Sequence, residues 1–173
     1  MRNRLLIIFI VCTAGTALFI QTRKQNKRQY QQDYLNELNS LPEYARDFST
    51  PEGAILCLEE AYRQRDIEAA VECKDFTTEA KLMLNKLDAR EIADPNIIDQ
   101  TAELLEFSFR EYTEETWPDF NGLESYFTKR ENYTDGIVSV TEVCRFTDGG
   151  FSRQRILVAK TKKGWRVLNP LEQ

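Results

Sequence analysis

Apolar residues recur at helical spacing through the first two thirds of this chain and alternate with polar ones in the last third. The clearest helical segment is TPEGAILCLEEAYRQRDIEAAVECKDF, from Thr50 to Phe76. Ala54, Ile55, Leu58, Ala61 and Tyr62 fall on one helix face. Thr50 is suited to cap that helix and Pro51 to its first turn, where the missing N–H costs nothing. A charged turn, Arg63 to Arg65, leads to Asp66, a cap for a second short helix through Val71. A third helix is predicted from about Thr78 to Arg90, capped by Thr77 or Thr78, with Ala80, Leu82, Met83, Leu84 and Leu87 as its apolar residues. Asp94-Pro95 marks a further start. The helix from there to Glu115 aligns Ile97, Ile98, Thr101, Leu104, Leu105, Ser108 and Tyr112, with Phe107 and Phe109 beside the stripe.

Beyond Pro118 the period shortens. Gly122 to Lys129, Gly136 to Thr147, Phe151 to Lys162 and Trp165 to Leu168 read as four strands. Asp148-Gly149-Gly150 and Lys162-Lys163-Gly164 are hairpin signals. A hairpin turn also accounts for the polar Asn132-Tyr133-Thr134. In the second strand Val138, Val140, Glu142, Cys144 and Phe146 share one face, and Ile137, Ser139, Thr141, Val143 and Arg145 the other. Helices first and an antiparallel sheet last define an α+β domain.

The N-terminal pattern is different. Leu5 to Ile20, LLIIFIVCTAGTALFI, carries no charge. As a helix it would span ~24 Å at ~1.5 Å per residue, against a hydrocarbon core of ~30 Å. Arg2 and Arg4 precede it, and Arg23, Lys24, Lys27 and Arg28 follow. Residues 1–22 therefore read as a signal anchor or signal peptide that brings the protein to a membrane; the short basic leader favours a domain outside the cytoplasm, and the basic trailing flank favours one inside. Residues 23–48 read as a polar stalk or linker in which Tyr30, Tyr34, Leu38 and Leu41 recur at helical spacing before Pro42. Residues 49–173 are the domain.

Charge refines this division. The net charge is -5, yet residues 1–28 hold six bases and no acid, so the remainder is strongly acidic. Such a domain repels nucleic acid and favours a basic protein partner. Within it, residues 94–124 hold nine acids and one base, whereas residues 129–166 hold nine bases and four acids. The chain contains no histidine. That excludes His-based zinc sites, Ser-His-Asp triads and Cys-His pairs. Cys12, Cys57, Cys73 and Cys144 match no metal-ligand spacing, so no metal and no cofactor is expected. Cys57 and Cys73, on consecutive helices, are either a pair in an oxidising compartment or separate core residues.

Thr50-Pro51-Glu52, the exit from Ala61-Tyr62 to Asp66, and the closing Lys163-Gly164-Trp165-Arg166-Val167 together resemble the nuclear transport factor two-like (SnoaL-like) superfamily. The opening helix also resembles immunity proteins of that fold from bacterial toxin systems. The resemblance implies a cone-shaped half-barrel, with N-terminal helices packed on a curved antiparallel sheet of about four strands. It further implies a pocket at the open end, which would take a small apolar ligand against Tyr62, Glu142, Gln154 and Trp165. That fold serves enzymes, ligand binders and immunity proteins alike.

The resulting expectation is a non-enzymatic, membrane-tethered binding domain, in one form an immunity-type protein that occludes a toxin or other protein partner. The alternative is a small-molecule isomerase or dehydratase using Glu142 as its base. Glu142 interrupts an apolar strand face, where burial would raise its pKa. Three settings for it stay open: a catalytic carboxylate, a partner of Arg153 or Arg155, or one member of a polar face turned inward at the barrel mouth. A polar, solvent-reached pocket around Glu142 would favour the enzyme, and a pocket filled by Trp165, Phe146 and Tyr62 would favour the binder.

Overall fold

The computed structural model describes residues 29–86 and 94–169. The chain forms two compact units, Met1–Leu41 and Pro42–Gln173. In the first, residues 29–39 are helical (α1). The apolar run Leu5 to Ile20, and with it the expected anchor, lies outside the described residues. Among the described residues no helix is long and apolar enough to cross a membrane.

The second unit contains α2 (Pro51–Gln64), α3 (Ile67–Glu72), α4 (Phe76–Lys86) and α5 (Pro95–Glu115). The strands β1 (Glu124–Thr134), β2 (Ile137–Arg145), β3 (Phe151–Thr161) and β4 (Gly164–Leu168) follow. The strands form one antiparallel meander in the order β1-β2-β3-β4. The domain is α+β, as the pattern predicts. Its compact part begins at Pro42 and takes in Tyr44 and Phe48, which pack against the core formed by α2 and the sheet.

Local chemistry fixes the helix ends. The Thr50 hydroxyl accepts from the Gly53 amide at 3.0 Å, and Arg65 ends α2 in the left-handed conformation. Asp66 caps α3 by accepting from the Ala69 amide, and Asp94 caps α5 by accepting from Asn96. The α4 cap differs from expectation. Asp75 accepts from the Thr78 amide at 3.0 Å and from its hydroxyl at 2.6 Å, so Asp75, and neither threonine, closes that helix. A carboxylate accepts both bonds at once and also meets the positive end of the helix dipole.

Gly53 is required by contact. A Cβ there would lie 2.5 Å from the Ala45 carbonyl oxygen and closer still to that of Asp47. Glu52, buried beside it, takes a two-pronged ion pair from Arg130 on β1. The start of α2 is thereby tied to the sheet.

The α5 stripe is a second correction. Leu104 and Tyr112 are exposed, as is Ile97. The face that packs is Ile98, Ala102, Leu105 and Phe109, against Phe76 and Ala80 of α4. Two apolar stripes overlap on this helix. The chosen one offers Ala102 for close approach and Phe109 to meet Phe76 at 5.6 Å between ring centroids.

In β2, Val138 and Val140 join Ala54, Ile55, Phe127, Ile156, Val158 and Val167 in the main core under α2. Ile137, on the opposite face, packs with Leu157, Ala159 and Leu168, so β2 is buried on both sides. Phe146 falls past the end of β2 and is exposed. β1 runs on through Asn132-Tyr133-Thr134, so that tripeptide is strand, and the turn is Asp135-Gly136. Register shifts between Phe127 and Lys129, and between Asn132 and Thr134, interrupt the β1–β2 ladder. Such bulges bend a strand and increase its twist.

Candidate functional site

Glu142 stands at the middle of β2, opposite Phe127 of β1 and Gln154 of β3. Strand alternation turns it toward α2, and the packing leaves it 1% exposed. The expected arginine partners are not there. Gln154 Nε2 donates to Glu142 Oε2 at 2.5 Å, while Arg155 donates to the Ser139 hydroxyl on the other face.

The group that meets Glu142 is Glu59. It lies on α2 with Ile55, Leu58 and Tyr62, three and four residues apart, and so belongs to the face that packs on the sheet. Its Oε2 accepts from Arg63 at 2.8 Å, and Arg63 also donates to the Phe120 carbonyl oxygen at 3.2 Å. The remaining oxygens, Glu59 Oε1 and Glu142 Oε1, are buried and have no other hydrogen-bond partner. Burial pushes the Glu59 carboxyl well above the usual carboxylate range. The hydrogen bond and negative charge of Glu142 push it further, and Ser125 and Arg63 only partly oppose them. Two interacting carboxylates in an apolar setting cannot both be ionised cheaply. One proton shared by the two side chains lowers that cost and gives the pair a single donor for its several acceptor positions.

This pair forms part of the wall of a cavity of about 210 Å³. Ile55, Leu58 and Tyr62 from α2 line one side, Ile156 and Val167 from the sheet another, and Pro118 and Phe120 a third. The Tyr62 and Phe120 rings stack at 5.6 Å, and burial raises the Tyr62 phenol pKa. Lys74 also lines the cavity. Its ammonium is buried and paired with Glu79, donates to Asn169 Oδ1 at 2.7 Å, and sits 5.7 Å from the Phe109 ring centroid. Burial lowers the Lys74 pKa against the pull of Glu79.

Tyr62, Glu142 and Gln154 therefore line one cavity. Trp165 does not. It is half-buried at the edge of the α2–sheet core, with the Lys160 ammonium 5.7 Å from its ring centroid. Phe146 is exposed, so the pocket is not filled by Trp165, Phe146 and Tyr62, the arrangement that would have favoured the binder. Cys57, Cys73 and Cys144 are free thiols, and burial pushes Cys73 and Cys144 up to about 12. No set of three or more metal-ligating side chains occurs among the described residues.

Sequence reasoning missed Glu59 and Lys74. The signal for Glu59 was legible: an acid at i+4 from Ile55 and i−3 from Tyr62 lies on the apolar face. Lys74 carried no such mark, because it falls in the short connection between α3 and α4.

No family model matches this sequence, and no curated protein is significantly similar to it. Among solved structures, the chain is similar to a Campylobacter jejuni protein provisionally described as an NTF2-like transpeptidase. The match has 12% identity and a TM-score of 0.36, and covers 69% of this chain and 98% of that one.

Proposed function

We propose that residues 42–169 form a non-enzymatic binding domain of the cone-shaped half-barrel type, which holds a small, mainly apolar ligand in the cavity beneath α2. The observation that carries this reading is the cavity itself. Its walls include Leu58, Tyr62, Phe120 and Ile156, and its few polar groups are the Glu59–Glu142 pair with Gln154, and Lys74 with Asn169. An apolar space with a few placed polar groups is the usual form of a small-molecule site. At about 210 Å³ the space would hold a compact ligand. Tethering to a membrane through Leu5 to Ile20 belongs to the same proposal. A basic protein partner draws support from α5, where exposed Leu104 and Phe107 lie beside Glu103 and Glu111.

A second reading is proton transfer next to a carbonyl group. It is favoured by one observation, a carboxyl pair able to hold a proton well above the ordinary carboxylate range at a cavity wall. One carboxylate would remove a proton and the other carboxyl would supply one, as in sites where environment splits two acids into separate roles.

The binding reading is tested by NMR screening of the full chain with small amphiphilic compounds, before and after Leu58→Trp fills the cavity. Shifts grouped at Tyr62, Phe120 and Ile156 that disappear in a folded Leu58→Trp variant are expected. Binding that persists unchanged in that variant would place the ligand elsewhere and refute the proposal.

A further inference from the structure

We infer that the cavity ligand is a small primary amine, with its ammonium head against the Glu59–Glu142 carboxyl pair and its apolar body against Tyr62 and Phe120. This rests on the ligand-binding reading and specifies the chemistry of the ligand.

Two independent features point to an ammonium. The first is the pair of orphan oxygens, both acceptors, on side chains at most 2% exposed. A buried acceptor without a partner is costly, so the missing group is a donor. The second is the aromatic wall. Tyr62 and Phe120 stack and line the same cavity, and aromatic faces attract cations, most strongly where water is excluded.

Charge balance selects a cation over a neutral donor. The groups facing the pair are Arg63 from α2, Ser125 from β1, and Cys144 and Gln154 from β2 and β3. Of these only Arg63 carries charge. With one shared proton, the pair and Arg63 sum to zero. When an ammonium enters, that proton leaves to solvent, both carboxylates ionise, and the sum is again zero. No covalent bond changes. An anion would break this balance, and an alcohol would add nothing to it. Lys74, which also lines the cavity, does not repel the ligand strongly because Glu79 cancels its charge.

The test uses the full chain with cyclohexylamine and its neutral counterpart cyclohexanol, by calorimetry in two buffers of different ionisation enthalpy. The amine should bind at least about tenfold more tightly than the alcohol at pH 7. It should also release about one proton per molecule bound. Glu142→Gln should abolish the preference, and Glu59→Gln serves the same purpose if the first variant does not fold. Equal or tighter binding of cyclohexanol, or an amine preference that survives in a folded variant, overturns the amine assignment and leaves the apolar pocket standing. If neither compound binds, both the amine assignment and the ligand-binding reading fail.

Discussion

Glu59 on α2 and Glu142 on β2 face each other across the helix–sheet interface, each with a buried carboxyl oxygen that has no other hydrogen-bond partner. The contact depends on two periodicities. A helical repeat sets Glu59 among Ile55, Leu58 and Tyr62, and strand alternation sets Glu142 among Val138, Val140 and Cys144. The main core then presses the two faces together.

Stability should respond to this contact. The folded state raises the Glu59 carboxyl from its ordinary 4.5 to about 8. A raised carboxyl means that the folded chain holds a proton that the unfolded chain releases. This contribution is fully present below pH 4.5 and is lost as pH rises through about 8. Glu59→Gln keeps the acceptor for Arg63 and supplies a permanent N–H toward Glu142. The variant should lose stability less steeply than wild type between pH 5 and 8 in urea melts. Parallel pH profiles for the two proteins would show that the pair shares no proton.

Gly53 has no room for a side chain. Although alanine favours a helix by about 1 kcal/mol over glycine, its Cβ would overlap the carbonyl oxygens of Ala45 and Asp47. Gly53→Ala should therefore destabilise the domain by about 1–3 kcal/mol. An unchanged or raised unfolding midpoint would mean that the Tyr44–Phe48 segment packs differently.

Lys74, which lines the cavity, forms a buried ion pair with Glu79. Removing one charge strands the other. Glu79→Gln should cost about 3–5 kcal/mol, and the double variant Lys74→Met, Glu79→Gln should recover a good part of that loss. A double variant less stable than the single one would contradict this account of the pair.

Much of this architecture was legible because the helix starts and hairpins carry strong local chemistry. Thr50-Pro51, Asp66 and Asp94-Pro95 mark three helix starts, and Gly149 and Gly164 lie at the turns. The α5 stripe was misread because two apolar stripes overlap, and only the partner surface of Phe76 and Ala80 decides between them. Asp75 displaced the threonine caps for a local reason, since a carboxylate serves both the amide and the hydroxyl of Thr78. For the site, Tyr62 and Glu142 were legible from their helix and strand faces, whereas Gln154 came only with the pocket that the fold resemblance implies. Trp165 was not, because a short edge strand packs an aromatic residue without enclosing it. Glu59 could have been found by treating an acid on an apolar helix face as seriously as one on an apolar strand face.

The carboxyl titration of Glu59, followed by carbon NMR with Glu59→Gln as the assignment control, tests the shared-proton site most directly. A midpoint at or above neutral pH is predicted, falling in Glu142→Gln once the facing negative charge is gone. A midpoint near the ordinary 4.5, unmoved by Glu142→Gln, would contradict it.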